Sequence, residues 1–179
     1  ECRFHGINLI QAAMPDYYFA YGSNMNPARM RARGLEYSHC QPGRLKHCEL
    51  RFNKRAHNKQ GVGYANVCHR RGSEVEGVLY QLAGAIDISM MDPYEGTPVR
   101  YSRELFEVFT ATGTQWAWVY IANPAFLDAC LGVEEAYLNH LLSAGELLSA
   151  DYRRRLQSLA PVIPSNPDRD DRQGLRFNV

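Results

Sequence analysis

With 179 residues, 45% of them hydrophobic and 22% charged, the chain has enough apolar material for one buried core and too little length for two independent domains. Its 20 lysines and arginines face 19 acids, a formal charge of +1, so there is no broad electrostatic case for nucleic acid or a membrane surface as partner. No run approaches about eighteen uninterrupted apolar residues, which excludes a transmembrane helix, and Asn8 and Gln11 interrupt the N-terminal stretch enough to make it a poor signal peptide.

Six short apolar runs rich in aromatic and β-branched residues read as strands: Tyr17 to Tyr21, Leu45 to Phe52, Val62 to Cys68, Val75 to Leu82, Tyr101 to Ala111 and Gln115 to Ala122. Ala111-Thr112-Gly113-Thr114 is a tight hairpin connection, and the strand after it, from Trp116 to Ile121, is apolar on both faces and therefore central. Helical periodicity is expected near Pro27 to Arg33, Ala85 to Met91, Pro124 to Cys130, Glu134 to Leu142 and Ala150 to Leu159. Strands loosely interleaved with short helices predict an α+β fold with a small, mixed barrel-like sheet. Residues 1–13 read as an N-terminal extension or added segment, because a start at Met14 would put the first strand almost at the terminus. From Pro161 to Val179 the chain is a tail with little core of its own. Val162, Ile163, Leu175 and Phe177 are its expected anchors, on the domain surface or on a neighbouring copy in a homodimer.

Five cysteines without CxxC spacing argue against a disulfide framework or a zinc finger and fit a reducing, cytoplasmic compartment. Three sit beside histidine, as His39-Cys40, His47-Cys48 and Cys68-His69, but neighbours on a strand point to opposite faces, so no metal site or Cys-His nucleophile is expected. The basic clusters at Arg29, Arg31 and Arg33, at Arg51, Lys54, Arg55 and Lys59, at His69 to Arg71 and at Arg153 to Arg155 read as solvated faces.

Two segments carry chemistry. In Tyr17 to Asn24 an aromatic strand runs through a Gly-Ser-Asn turn into a helix start, with Gly22 for the turn, Asn26 as N-cap and Pro27 at the first helical position. Free N–H groups and the positive end of the helix dipole are expected to converge there on a carboxylate or phosphate; an ordinary strand-turn-helix is the other reading. Between Pro93 and Pro98, Glu95 lies next to Gly96, with Met91, Tyr94 and Tyr101 supplying a partly apolar setting that would raise a carboxylate's pKa. A lone glutamate held by rigid backbone suits general acid-base work, although a solvent-facing turn glutamate has the same local sequence.

Together these segments resemble the gamma-glutamylcyclotransferase family. FAYGSN is similar to that family's glutamyl-binding loop, Asp92-Pro93-Tyr94-Glu95-Gly96 followed by Tyr101 to its catalytic-glutamate loop, and Tyr137 to Gly145 with Asp151-Tyr152 and Leu156 to its closing helices. The resemblance implies the family's small mixed β-barrel flanked by short helices, a domain spanning residues 14–160, and intramolecular cyclisation of a gamma-glutamyl amide to 5-oxoproline. It implies Glu95 as the acid-base group, with Tyr18, Phe19, Ala20, Tyr21, Gly22, Ser23, Asn24, Tyr101 and Tyr137 binding substrate. Neither metal nor cofactor is implied. The loop would grip either the substrate's α-carboxylate or a developing oxyanion. Removal of a gamma-glutamyl protecting group from a biosynthetic intermediate stays open, as does a non-catalytic anion-binding module. Relatives that cleave glutathione carry a loop closer to GYGSL, so FAYGSN disfavours that substrate. Phosphate or nucleotide binding finds no GxGxxG or GxxxxGK[ST] at this loop.

Overall fold

The structure, a computed structural model, describes residues 15–84 and 87–163. Five strands close a barrel in the order β1-β3-β2-β4-β5: β1 (Tyr17–Ala20), β2 (Tyr37–Arg55), β3 (Gly63–Leu82), β4 (Tyr101–Thr110) and β5 (Gly113–Ala122). Neighbours are antiparallel except β1 and β5, whose parallel pairing at Tyr18 and Trp118 closes the sheet. The mixed barrel expected from the sequence is therefore present. β4 and β5 form the predicted hairpin, turning between Thr110 and Gly113.

Two expectations about strands fail in an instructive way. Val62 to Cys68 and Val75 to Leu82 are one strand, β3, and its partner β2 starts at Tyr37 rather than Leu45. The polar run between them is a bulge: Lys46 pairs with Glu74 but Cys48 with His69, and the surplus β3 residues swing out at Gly72, φ 82°, opposite His47, φ 57°. The His47 ring takes the Gly72 N–H at Nδ1, 3.2 Å away. A bulge leaves the ladder continuous on both sides, so a polar interval need not end a strand.

The helices are α1 (Pro27–Ala32), α2 (Asp92–Glu95), α3 (Glu135–Leu142) and α4 (Ala150–Gln157). The helix expected over Pro124 to Cys130 is only a 3-10 turn, Pro124–Phe126. Backbone groups beyond it are taken by the barrel rim instead: Asp128 N–H donates to Asn53 O at 2.8 Å, Leu127 bridges Lys54, and Gly132 N–H donates to Gly61 O. Of the helix expected over Ala85 to Met91, the described part is a 3-10 turn, Asp87–Met91, running into α2.

Alternation along β1 divides the core into two layers. Phe19 and Tyr21 join Leu45, Val67, Val75, Leu79, Val108 and Val119 in a cluster built almost wholly from the strands, with Tyr137 of α3 packed against it, which is the barrel lumen. Tyr18 and Ala20 face the other way, where Met30 of α1, Leu141 of α3 and Tyr152 and Leu156 of α4 cover the outside of the sheet. Phe19 is fully buried in a notch made by the paired glycines Gly43 and Gly77. A Cβ on Gly77 would lie 2.6 Å from the Phe19 ring and 2.3 Å from Ala20 O; one on Gly43 would lie 3.0 Å from the ring. Burying such a ring contributes about 1.5–3 kcal/mol, and it fixes β1, and hence the chain that leaves it, against the barrel.

Of the tail's expected anchors, Val162 donates its N–H to Val133 O at 2.9 Å and packs on Gly132. Ile163 does not anchor; it is 94% exposed. Leu175 and Phe177, like residues 1–13, lie outside the described residues. Among the described residues no helix is long and apolar enough to cross a membrane.

Candidate active site

After β1 the chain makes a 3-10 turn, Ser23–Met25, and enters α1 at Pro27. Asn26 caps that helix as expected: its Oδ1 accepts from the N–H groups of Ala28 and Arg29 at 2.9 and 3.3 Å. The same cap corrects the expected anion site, because the helix-start donors are consumed internally and the six-residue helix has only a small dipole. Gly22 also differs from expectation. Its φ is −121°, outside the left-handed region, and its missing side chain matters for packing: a Cβ would lie 2.9 Å from Tyr137 Oη and 3.1 Å from Ala65 Cβ.

Glu95 ends the one-turn helix α2, which has Pro93 in its first turn and which the left-handed Gly96, φ 65°, stops by returning its N–H to Asp92 O. Asp92 is held in turn by Tyr120 Oη at 2.7 Å and by Arg103 at 3.2 Å, so the turn is fastened to β4 and β5. This fixes the carboxylate. Its Oε1 accepts from Asn24 Nδ2 at 3.0 Å and from Arg33 Nη1 at 3.3 Å, while Oε2 has no hydrogen-bond partner among the described residues. Asn24 is itself oriented, donating to Tyr18 Oη at 2.8 Å and accepting from Arg33 at 2.9 Å, and its carbonyl takes the Tyr80 hydroxyl. Burial pushes the Glu95 pKa above its ordinary value against the opposing pull of Arg33, Asn24 and Lys54.

The carboxylate stands where two spaces meet. A narrow inner recess of about 30 Å³ is lined by Tyr18, Tyr21, Gly22, Ser23, Asn24, Ala65, Tyr101, Tyr120 and Tyr137 with Glu95. It opens into an outer cavity of about 440 Å³ that shares Ser23, Glu95, Tyr101 and Tyr137 with it. The phenols meet the strand behind the recess: Tyr101 Oη donates to Ala65 O and Tyr137 Oη accepts from Ala65 N–H, both at 3.1 Å. Burial raises the pKa of Tyr18, Tyr21, Tyr101 and Tyr137, the last to about 12, so all four are neutral donors near pH 7. Thus Tyr18, Tyr21, Gly22, Ser23, Asn24, Tyr101 and Tyr137 converge on Glu95. Phe19 and Ala20 do not line the cavity; they pack on either side of β1 and carry the loop.

Three basic residues read from the sequence as solvated belong here instead. Arg33 is 13% exposed at its side chain, clamped between Glu95 and the Tyr94 ring, 4.8 Å from its centroid. Arg29, four residues earlier and so on the same helix face, lines the outer cavity with its Nε buried and, among the described residues, unpartnered. Lys54 is 4% exposed, with its ammonium 5.2 and 5.4 Å from the Tyr64 and Tyr101 ring centroids; burial lowers its pKa to about 8, Arg100 adding to the effect. A one-residue irregularity in the β2–β3 register between Arg51 and Lys54 accompanies its inward turn. The sequence did hold a signal, since Lys54 continues the every-second-residue phase of Leu50 and Phe52. The larger groove of about 730 Å³ against α4 is a different surface, and Glu49, Arg51 and Arg70 there pair with one another.

Cys48 is buried, Cys40 and Cys68 are partly buried and Cys130 is exposed, all as free thiols. No group of three or more His, Cys, Asp or Glu side chains among the described residues could hold a metal ion.

The sequence model of the family described as gamma-glutamyl cyclotransferase, AIG2-like, matches residues 18–143. No curated protein matched. Among solved structures, one titled gamma-glutamyl cyclotransferase is 22% identical with a TM-score of 0.68, covering 82% of this chain and 88% of its own. An uncharacterized protein from Homo sapiens has 22% identity and a TM-score of 0.69 over the same shares. YkqA from Bacillus subtilis, 23% identical with a TM-score of 0.70, covers 85% of this chain, which spans 58% of that protein. These structures are similar to this chain in overall fold.

Proposed function

Because the chain belongs to the gamma-glutamyl cyclotransferase, AIG2-like family, we propose that it cyclises a gamma-glutamyl amide to 5-oxoproline and releases the free amine or amino acid, with Glu95 as the acid-base group. The observation that carries this reading is the asymmetric Glu95 carboxylate, one oxygen fixed by Asn24 and Arg33 and the other, at the mouth of a recess, without a hydrogen-bond partner among the described residues. A purely binding site has no use for a proton acceptor positioned in this way.

The reaction is intramolecular. The substrate's α-nitrogen attacks its own δ-carbonyl carbon, the ring C–N bond forms, and the bond to the leaving nitrogen breaks. Going from ammonium to lactam nitrogen releases two protons, and the leaving nitrogen takes up two to depart as an ammonium. Glu95 Oε2 relays them, accepting from one nitrogen and donating to the other. A raised carboxylate pKa brings it nearer neutrality and so suits both halves. Holding the two reacting groups of one molecule in attack geometry supplies much of the acceleration, so the recess has mainly to fold the substrate. Tyr18, Gly22, Ser23, Asn24, Tyr101 and Tyr137 would hold the glutamyl end, with Tyr21 closing the floor. The chemistry calls for no metal or cofactor, and a cytoplasmic location, argued from the free cysteines, belongs to the same proposal. Incubating the protein with gamma-glutamyl dipeptides, glutathione and gamma-glutamyl amines, and reading 5-oxoproline by mass spectrometry, tests it. Release from at least one substrate is expected; none from any member would remove the activity.

A further inference from the structure

The outer cavity carries more positive charge than the glutamyl end of a substrate can use. Its wall holds Arg29, Arg33, Lys54, Lys59 and Arg100 against two carboxylates, Glu95 and Glu134. Arg33 is paired with Glu95 at 3.3 Å and Lys59 with Glu134 at 2.6 Å. The other three, Arg29, Lys54 and Arg100, have no carboxylate within 4 Å among the described residues. Two of them are expensive as they stand: Lys54 is 4% exposed, and neither its ammonium nor the buried Arg29 Nε has a hydrogen-bond partner among the described residues. The Arg100 guanidinium lies 3.0 Å from His57 Nδ1, which supplies no counter-charge. Unpaired buried cations cost free energy, and the cost is recovered when a ligand supplies the counter-charge.

A gamma-glutamyl group brings one carboxylate and one ammonium and is neutral overall, so it cannot answer a surplus of three cations. The surplus lies on the outer side of Glu95, beyond the recess, where the leaving amine would sit. We propose that the preferred substrates are gamma-glutamyl amides whose leaving amine carries an additional anionic group on its side chain, a carboxylate or a phosphate, received by Arg29, Lys54 and Arg100. This rests on the cyclotransferase reading for the identity of the glutamyl end. It predicts that amines with a cationic side chain are poor substrates, because the same wall repels them.

Matched pairs differing by one anionic group test the proposal: gamma-glutamyl-glutamate against gamma-glutamyl-glutamine, and gamma-glutamyl-phosphoserine against gamma-glutamyl-serine. Binding of each is measured by calorimetry on the full chain carrying Glu95→Gln, and 5-oxoproline release is measured separately on the wild-type chain. The acidic member of at least one pair should bind about 10–100-fold more tightly, the range for a hydrogen-bonded charged group, and which pair responds distinguishes carboxylate from phosphate. Arg29→Gln and Lys54→Gln should each bring that ratio down toward one, a change in discrimination that a merely destabilised fold would not produce. Equal affinity within both pairs, or a ratio that neither substitution alters, overturns the proposal. If 5-oxoproline release fails while the binding preference stands, the cyclisation reading falls and the anion preference survives.

Discussion

Replacing Glu95 by glutamine should move activity and stability in opposite directions. The substitution preserves size, and the new amide oxygen can still accept from Asn24 and Arg33 at the positions now 3.0 and 3.3 Å from Oε1. What it removes is the ability to take and return a proton. Turnover should fall about a hundredfold to ten-thousandfold, equivalent to about 2.7–5.4 kcal/mol of barrier. Stability at neutral pH should rise. Burial holds the folded carboxylate's pKa above its unfolded value, so its contribution to stability is fully present below about pH 4.3 and is lost as pH rises through the folded pKa. Glutamine stays neutral and escapes that loss. Urea titrations at about pH 8 should therefore place the variant's midpoint above the wild type's, with the gap shrinking toward about pH 4. Ordinary turnover by the variant would remove Glu95 from the chemistry. A lower midpoint at pH 8 would mean that the attraction of Arg33 outweighs burial.

Other substitutions probe the surroundings. Gly22→Val places methyl groups where even a Cβ would lie 2.9 Å from Tyr137 Oη, so calorimetry should show affinity for 5-oxoproline falling more than about tenfold for about 1–3 kcal/mol of stability; unchanged affinity would take the loop out of the binding site. Tyr137→Phe leaves the Ala65 N–H without its acceptor and should cost about 1–3 kcal/mol in urea unfolding, with a fall in kcat. Activity should persist through exhaustive EDTA treatment and through alanine at Cys40, Cys48 and Cys68, with the stability loss coming chiefly from buried Cys48. Stoichiometric zinc by elemental analysis, with activity returning only when zinc does, would reverse that expectation.

What could be read from the sequence was local. The β1 run, the Asn26 cap before Pro27 and the Gly113 hairpin are each decided by residues within a few positions of one another, and each is present. The failures depend on distant partners. Nothing near His69 to Glu74 shows that β2 supplies a matching edge that continues past a bulge, and nothing near Pro124 shows that Asn53 and Gly61 will claim the following backbone. The site divides the same way. Glu95 stands out because prolines and a glycine surround it, whereas Arg29, Arg33 and Lys54 look like ordinary surface charges until the barrel closes around them. Phe19 and Ala20 show the converse error: they adjoin the loop in sequence, yet strand alternation sends their side chains into packing.

The seat of Phe19 between Gly43 and Gly77 has a consequence for how this protein can be altered. Three strands share one lock, so none of the three positions is free to vary alone: alanine at either glycine would collide with the ring, and alanine at 19 would leave a hole that neither glycine can fill. With only four residues in β1, that ring serves as the index mark for everything downstream of it. The loop above the ring is tied to the same packing, since Tyr21 and Met25 are buried and Asn26 caps α1, so a new recess at the barrel's mouth has to keep those three residues as well as the lock below them.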